Sequence, residues 1–159
     1  VVFGPRDPSY ISPILSAIQS DLCESGIDGV LSTHIQRDAL EKFSYVSPIG
    51  AAGVYLHAVA GDFQKEGPAR ELFKSMIREI SALAAAMGYP FEKDYVKINL
   101  EILSNLSADA TTSMQRDIME GKPSELDGLV MEPLRLAKKY SVSMPCYEEV
   151  AKVLCPLEF

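Results

Sequence analysis

Apolar residues recur at helical spacing along most of the chain. Residues 7–26 carry an isoleucine or leucine at almost every third or fourth position and end in a glycine, which predicts a first amphipathic helix. From about residue 35 to residue 60 the composition is again helical. Pro48, Gly50 and Gly53 lie within that stretch and are expected to kink or split the helix.

Residues typical of helix ends mark the later helices. Pro68 suits a first turn, and the apolar stripe that follows it ends at Gly88. Residues 92–106 form a fourth helical pattern, Gly121 closes a short helix, and Pro145 opens the last one. The chain is therefore predicted to be all-α, with about seven helices.

The main exception to the helical pattern lies at the start of the chain. Val1 to Gly4 is extended in character, and no partner strand for it is evident in the rest of the sequence. We expect residues 1–5 to end the sheet of a missing N-terminal domain. Residues 6–159 would then form one helical domain.

Composition narrows the function classes. The 159 residues include 22 acidic and 15 basic side chains, so the net charge of -7 disfavours partners such as nucleic acid or anionic lipid. No apolar run reaches transmembrane length, and no membrane association is expected. Cys23, Cys146 and Cys155 are odd in number and lack metal-type spacing, as do the two histidines, which predicts free thiols, no metal site and a reducing cytoplasm.

Lys42 is the first residue with possible chemistry. Ala39, Phe43 and Val46 are its sequence or helical neighbours, and partial burial among them would favour the neutral amine, which suits proton transfer. Asp38 offers a structural alternative, because an acid four residues before a lysine forms an exposed ion pair on a helix. The pattern alone leaves both interpretations open.

Ser113 and Glu125 each allow a functional and a structural interpretation. A hydroxyl in a first helical turn can join backbone N–H groups in holding a carboxylate, but Thr112-x-x-Gln115 is also a capping-box pattern that makes Ser113 merely the first helical residue. Glu125 follows a serine that would open the next helix through a Ser124-x-x-Asp127 cap, where an acid is favoured by the helix dipole.

Taken together, Lys42, the run Thr112-Ser113-Met114-Gln115-Arg116-Asp117 and Glu125 resemble the C-terminal domain of the ketopantoate reductase (2-dehydropantoate 2-reductase) family. Members of that family carry a lysine, then a Ser-Met-x-x-Asp helix start, then a glutamate. The resemblance covers most of the chain. It implies a fold like the C-terminal domain of 6-phosphogluconate-dehydrogenase-like enzymes.

The resemblance also implies a function. The chain would be the substrate-binding and oligomerising half of an NADPH-dependent 2-keto acid reductase of pantothenate biosynthesis. NADPH would bind mainly to a missing N-terminal Rossmann domain, and the whole enzyme would be a cytoplasmic homodimer. By this resemblance Lys42 is the general acid, Glu125 hydrogen-bonds within the substrate site, Ser113 binds the substrate carboxylate, and Asp117 supports helix packing.

The sequence departs from the family at three substrate-binding positions. Family members usually have asparagines where this chain has Val46, Gly50 and Ala110. A substrate with a less polar tail than ketopantoate is therefore expected, since sites built on hydrogen bonds discriminate strongly. Two alternatives stay open: a non-catalytic helical module for dimerisation or protein binding, and a hydroxyacid dehydrogenase with another substrate. If Lys42, Ser113 and Glu125 do not converge, the catalytic interpretation fails.

Overall fold

The computed structural model describes residues 1–156, which contain eight α-helices and two strands of two residues each. The all-α prediction is confirmed, and the helix beyond the expected seven is the five-residue α3. A 3₁₀ turn covers Pro8–Tyr10, and a π-helical turn covers Asp127–Met131. The elements in chain order are β1 (Val2–Phe3), α1 (Pro13–Glu24), β2 (Val30–Leu31), α2 (Ile35–Leu56), α3 (Ala60–Gln64), α4 (Pro68–Ala86), α5 (Tyr95–Ser104), α6 (Ser113–Met119), α7 (Glu132–Tyr140) and α8 (Pro145–Leu154).

The chain divides into two compact units, the first of which is Val1–Leu40. In this unit β1 and β2 form a parallel pair in which Val2 lies opposite Val30, with α1 as the connection. The expectation that the first residues lack a partner strand in this chain is therefore wrong. Two residues per strand carry too little alternation to be recognised in a sequence.

Gly4 allows the chain to leave β1 beside β2. A Cβ at this position would lie 2.3 Å from the carbonyl oxygen of Ser32, so any larger residue would collide with backbone. Helix α1 contains no buried residue, and Ile14 on it is 71% exposed. The first unit therefore has a backbone-paired frame but leaves apolar surface uncovered.

The second unit begins at Glu41 and holds the hydrophobic core. Helix α4 is central to it and contacts α3, α5, α7 and α8. Its predicted apolar stripe is fully buried at Met76, Ile77 and Ile80, and Phe73, which the prediction did not include, is fully buried as well. Burial of such side chains is worth about 1.5–3 kcal/mol each, so this stripe accounts for much of the stability of the unit.

Helix α2 continues through Pro48 and is not split. A proline in a helix leaves the carbonyl four residues earlier without its N–H donor. Here that carbonyl belongs to Ser44, and the side-chain amide of Asn99 on α5 donates to it at 3.0 Å. A tertiary hydrogen bond thus replaces the missing helical one, and the helix can run on to Leu56.

The structure also shows which termini the sequence predicts correctly. Pro68 and Pro145 occupy first turns of α4 and α8, and Gly26, Gly88 and Gly121 follow helix ends with positive φ. Among residues 1–156, no helix has the length and hydrophobicity needed to cross a membrane.

Candidate active site

Three of the six predicted site residues lie along one face of α2. Lys42, Val46 and Gly50 are spaced four residues apart, which places them on one side of a helix over about 12 Å. Lys42 is exposed, Val46 is 36% exposed, and Gly50 is buried. The stripe therefore runs from an accessible amine to a covered backbone position.

The expected partial burial of Lys42 is absent, because its side chain lies in solvent. The alternative of an ion pair with Asp38 is not found either. The Asp38 carboxylate accepts a hydrogen bond from the Ser32 hydroxyl, and within the described part of the chain Lys42 enters no ion pair. Lys42 is thus an exposed amine without an ion-pair partner among residues 1–156.

Gly50 is the position at which α2 meets the start of α6. A Cβ on Gly50 would lie 3.0 Å from Cε of Met114 and 3.8 Å from Oγ1 of Thr112. These two residues flank Ser113. The contact therefore brings the Lys42 face of α2 to the segment that carries Ser113, and the methyl group of Met114 occupies the space beside the small glycine.

Ser113 is the first residue of α6, and the predicted capping box around it is confirmed. The Thr112 hydroxyl accepts from the Gln115 backbone N–H at 3.2 Å, and the Gln115 side-chain oxygen accepts from the Thr112 N–H at 2.9 Å. Ser113 itself is exposed. The box fixes the helix start and leaves the Ser113 hydroxyl at the surface.

Glu125 lies on the segment between α6 and the π-helical turn, and its side chain is exposed. Its backbone oxygen accepts from the N–H of Leu129 at 2.8 Å. The Leu129 oxygen in turn accepts from the hydroxyl of Ser47 on α2 at 2.5 Å. Helix α2 therefore contacts the segment that carries Ser113, at Gly50, and the π-helical turn that follows Glu125, at Ser47.

The cap predicted from Ser124 to Asp127 is not formed. The helical turn begins after Leu126, and the carboxylate of Asp127 pairs with the guanidinium of Arg135 on α7, which lowers the pKa of Asp127. Among residues 1–156, the ion pairs of the structure include none between the carboxylate of Glu125 and the amine of Lys42. The three residues are linked through α2 and not by direct contact.

Ser47 is a structural link between α2, the π-helical turn and α8 that sequence reasoning misses. It is buried, and its hydroxyl lies 2.5 Å from the hydroxyl of Tyr147 on α8 as well as bonding to Leu129. Burial raises the pKa of Tyr147, so its hydroxyl stays protonated. A serine next to a proline in a helix gives no sequence signal for a partner 100 residues away.

Two cavities adjoin the α2–α6 contact. The smaller, of about 100 Å³, includes Ala110, whose carbonyl oxygen accepts from the N–H of Ala60 at 3.0 Å. The larger, of about 400 Å³, lies at the C-terminal end of α2 and contains none of the six predicted site residues. The lining of the larger cavity is mostly apolar, and His57 is the titratable side chain in it. The larger cavity is lined by Gly53, Val54, His57, Ala58, Val59, Thr111, Gln115, Ile118 and Met119.

Among residues 1–156, the structure shows neither a metal-type cluster of side chains nor a phosphate loop at Gly50–Gly53. No group of three or more histidine, cysteine, aspartate or glutamate side chains among residues 1–156 could hold a metal ion. The segment Gly50–Gly53 lies inside α2, and a Cβ on Gly53 would lie 2.7 Å from the Gln115 side chain. A glycine pair packed in this way cannot cradle a phosphate.

The comparison with known proteins decides the family. A sequence model described as "Ketopantoate reductase PanE/ApbA C terminal" matches residues 34–158. The chain belongs to this family. It is similar to a 2-dehydropantoate 2-reductase of Aquifex aeolicus, with 26% identity over 158 residues that cover 97% of this chain and 51% of the relative. The chain therefore spans about half the length of this ketopantoate reductase relative.

Solved structures share the fold. A 2-dehydropantoate 2-reductase from Methylococcus capsulatus superposes with a TM-score of 0.85 at 23% identity, over 99% of this chain and 50% of that one. A dimeric ketopantoate reductase from Staphylococcus aureus has a TM-score of 0.78 at 20% identity, over 90% and 50%. D-mandelate dehydrogenase with NADH and anilino(oxo)acetate has a TM-score of 0.80 at 17% identity, over 95% and 63%. The predicted helical architecture is thereby confirmed.

Proposed function

We propose that this chain is the substrate-binding half of an NADPH-dependent 2-keto acid reductase that converts a ketone to a hydroxy acid. Membership of the ketopantoate reductase family supports the reaction class. The observation that carries the proposal is that α2, which bears Lys42, contacts both the Ser113 segment and the segment that follows Glu125. One rigid helix can therefore position all three side chains toward one substrate.

Each of these residues has a distinct role in the proposed reaction. A reduced nicotinamide would supply the hydride that adds to the carbonyl carbon. Lys42 donates the proton that the developing alkoxide oxygen needs, and its exposed amine is accessible to a bound substrate. Ser113 donates its hydroxyl hydrogen to the substrate carboxylate, and Glu125 accepts a hydrogen bond from the substrate or from Lys42.

We propose that the cofactor binds mainly to an N-terminal nucleotide-binding domain that is not part of this chain. The parallel β1–α1–β2 unit is the type of element that α/β domains use, and its apolar residues are uncovered: Val2 is 54%, Ile18 is 41% and Val30 is 45% exposed. We propose that residues 1–5 end the sheet of an N-terminal nucleotide-binding domain, that β2 extends this edge of the sheet by pairing with β1, and that residues 6–159 otherwise serve substrate binding and oligomerisation. A chain that covers half of its relatives is consistent with this division.

The substrate tail is proposed to be less polar than that of ketopantoate. Val46 presents a partly exposed apolar side chain, Gly50 is covered by Met114, and Ala110 contributes only a methyl group. None of the three can hydrogen-bond a hydroxyl through its side chain. We further propose a cytoplasmic homodimer: a family relative of the same fold is described as dimeric, and Cys23, Cys146 and Cys155 form no disulfide among the described residues.

A hydroxyacid dehydrogenase with another substrate is the second candidate. The shared fold with D-mandelate dehydrogenase, a protein whose structure holds NADH, favours it. The same arrangement of Lys42 and Ser113 serves both directions, because the residue that protonates an alkoxide removes the hydroxyl proton in reverse.

The test is a cofactor-oxidation assay on the full-length protein. Ketopantoate and a series of 2-keto acids with aliphatic, aromatic and hydroxylated tails are each offered with NADPH and with NADH. Turnover with NADPH supports the proposal, and turnover restricted to NADH with aryl keto acids supports the second candidate. If protein that is folded and binds the cofactor reduces none of these acids, the result would favour the alternative of a non-catalytic helical module.

A further inference from the structure

The carbonyl oxygen of Leu129 lies where the helical hydrogen bonding loses a donor. In a regular α-helix this oxygen would accept from the backbone N–H four residues later, but that residue is Pro133, which has no N–H. The hydroxyl of Ser47 on α2 donates to the Leu129 oxygen at 2.5 Å instead. The helical register changes at the same place, because Asp127–Met131 is a π-helical turn and α7 begins directly after it. A side chain of α2 therefore takes part in the backbone hydrogen bonding of this turn.

The hydrogen bonds around Ser47 have one direction. Ser47 and Tyr147 are both fully buried, and their hydroxyl oxygens lie 2.5 Å apart. Each hydroxyl carries one hydrogen, and Ser47 gives its own to the Leu129 oxygen, so Tyr147 is the donor to Ser47. The Tyr147 hydroxyl keeps its proton, because burial raises its pKa. The core thus holds the Ser47 hydroxyl in the orientation that bonds the turn.

The turn is bonded in the same way to Glu125, the residue proposed to act in the substrate site. The backbone N–H of Leu129 donates to the Glu125 backbone oxygen at 2.8 Å, so Leu129 is bonded to Glu125 through its N–H and to Ser47 through its oxygen. Ser47 lies five residues after Lys42 on the continuous helix α2, which is about 7.5 Å along the helix axis. One hydroxyl therefore joins the helix that bears Lys42 to the segment that bears Glu125.

We propose that Ser47 is a positioning residue for Glu125 in the reduction of the 2-keto acid. The inference rests on the proposed function. Ser47 is buried, so its hydroxyl acts as a support and not as a contact to the substrate. It fixes the turn after Glu125 against α2, and the Glu125 carboxylate is thereby held at a set place relative to the Lys42 amine. Misplacement of such a group by about 1 Å can cost about 10²-fold in rate, so this bond matters to turnover.

The test measures kcat/KM for the best 2-keto acid in the full-length wild type and three variants. Ser47→Ala is expected to lower kcat/KM by about 10- to 100-fold. Glu125→Ala is expected to lower it as well. Ser47→Ala in the Glu125→Ala background is expected to cause at most about a twofold further loss, because Ser47 acts through Glu125 and the two effects are then not additive. A merely structural role would lower kcat/KM by the same factor in both backgrounds.

Ser44→Ala is the matched control. Ser44 is also a fully buried serine on α2, but its hydroxyl donates to the Glu41 oxygen and accepts from the side-chain amide of Asn99 on α5. This variant loses a buried hydroxyl away from the Glu125 segment and is expected to keep the wild-type kcat/KM. Melting temperatures show which variants fold. If Ser47→Ala does not fold, Ser47→Cys replaces it with a loss in the same direction expected, because a thiol is a weak donor.

Amide hydrogen exchange of the full-length proteins tests the same bond without turnover. Residues 125–131 are expected to exchange faster in Ser47→Ala than in the wild type, and at the wild-type rate in Ser44→Ala.

Unchanged exchange of this segment, unchanged kcat/KM in Ser47→Ala, equal loss factors in the two backgrounds, or an equal loss in Ser44→Ala overturns the positioning role and leaves the proposed function standing. A wild type that reduces no 2-keto acid overturns the proposed function and the positioning role with it.

Discussion

Ser47 is the residue through which α2 reaches two other elements at once. Its hydroxyl bonds to the Leu129 oxygen and lies against the hydroxyl of Tyr147, and all of this occurs at a buried position. The bond to Leu129 fixes the turn that follows Glu125. A single hydroxyl thus couples packing in the core to the placement of a proposed site residue.

Replacing Ser47 by Ala is expected to lower the free energy of unfolding by about 1–3 kcal/mol, because it leaves two buried polar groups without their partner. Urea denaturation measures the change. Tyr147→Phe removes the other hydroxyl, and the double variant should lose less than the sum of the two single losses. Fully additive losses would contradict the bond between the two hydroxyls.

Cys146 is expected to be much less reactive than Cys23 at pH 8. Burial, with a hydrogen bond to Glu79, raises the pKa of the Cys146 thiol to about 11, whereas Cys23 is an exposed residue. At pH 8 a thiol with that pKa is about one-thousandth thiolate, and the thiolate is the reactive form. Alkylation by iodoacetamide, followed by peptide mass spectrometry, measures both rates.

The sign of the pH dependence follows from the raised pKa. Modification of Cys146 should accelerate with pH up to about pH 11, the value given by its environment. Equal modification of Cys146 and Cys23 at pH 8 in folded protein would show that the thiol is not buried in this way. The Cys23→Ser variant serves as the control, because modification of Cys146 can be followed in it without modification of Cys23.

At the scale of the elements, the contact between α2 and α6 organises the proposed site. Gly53 lies against the Gln115 side chain, which is itself held by the capping box and by the Ala58 oxygen. Gly50 lies against Met114 one turn earlier on α2. Two small residues therefore let the start of α6, with Ser113, approach the helix that carries Lys42.

Gly53→Ala is expected to destabilise the protein by about 1–3 kcal/mol, because the new methyl group would collide with the Gln115 amide. Gly128→Ala is the matched control. A Cβ at Gly128 meets no atom within 4 Å, so this change should be neutral or stabilise by up to about 1 kcal/mol. Chemical denaturation of both variants checks the pair, and equal effects would contradict close packing at Gly53.

The element ends could largely be predicted from the sequence. Proline in a first turn, glycine after a last turn and the Thr112–Gln115 box act within four residues, so local sequence reveals them. Long-range effects could not be predicted in this way. The continuity of α2 past Pro48 depends on Asn99, and the start of α8 is bonded by the Glu79 carboxylate, which accepts from Cys146 N–H at 2.8 Å.

At the scale of the whole molecule, family and fold follow from a few spaced residues, whereas the site geometry does not. Lys42, Ser113 and Glu125 are far apart in sequence. Only the contacts of α2 show that the helix bearing Lys42 lies against the Ser113 segment and against the turn that follows Glu125. The exposure of Lys42 could not be foreseen from its apolar neighbours.

The most direct test of the central claim, that this chain supplies the general acid of a 2-keto acid reductase, is steady-state reduction by full-length Lys42→Ala. General acid catalysis contributes about 10²–10⁴-fold, so kcat for the best 2-keto acid should fall by that factor. Lys152→Ala, an exposed lysine on α8, serves as the control and should keep wild-type kcat. A Lys42→Ala protein that folds normally and retains wild-type kcat would contradict the claim.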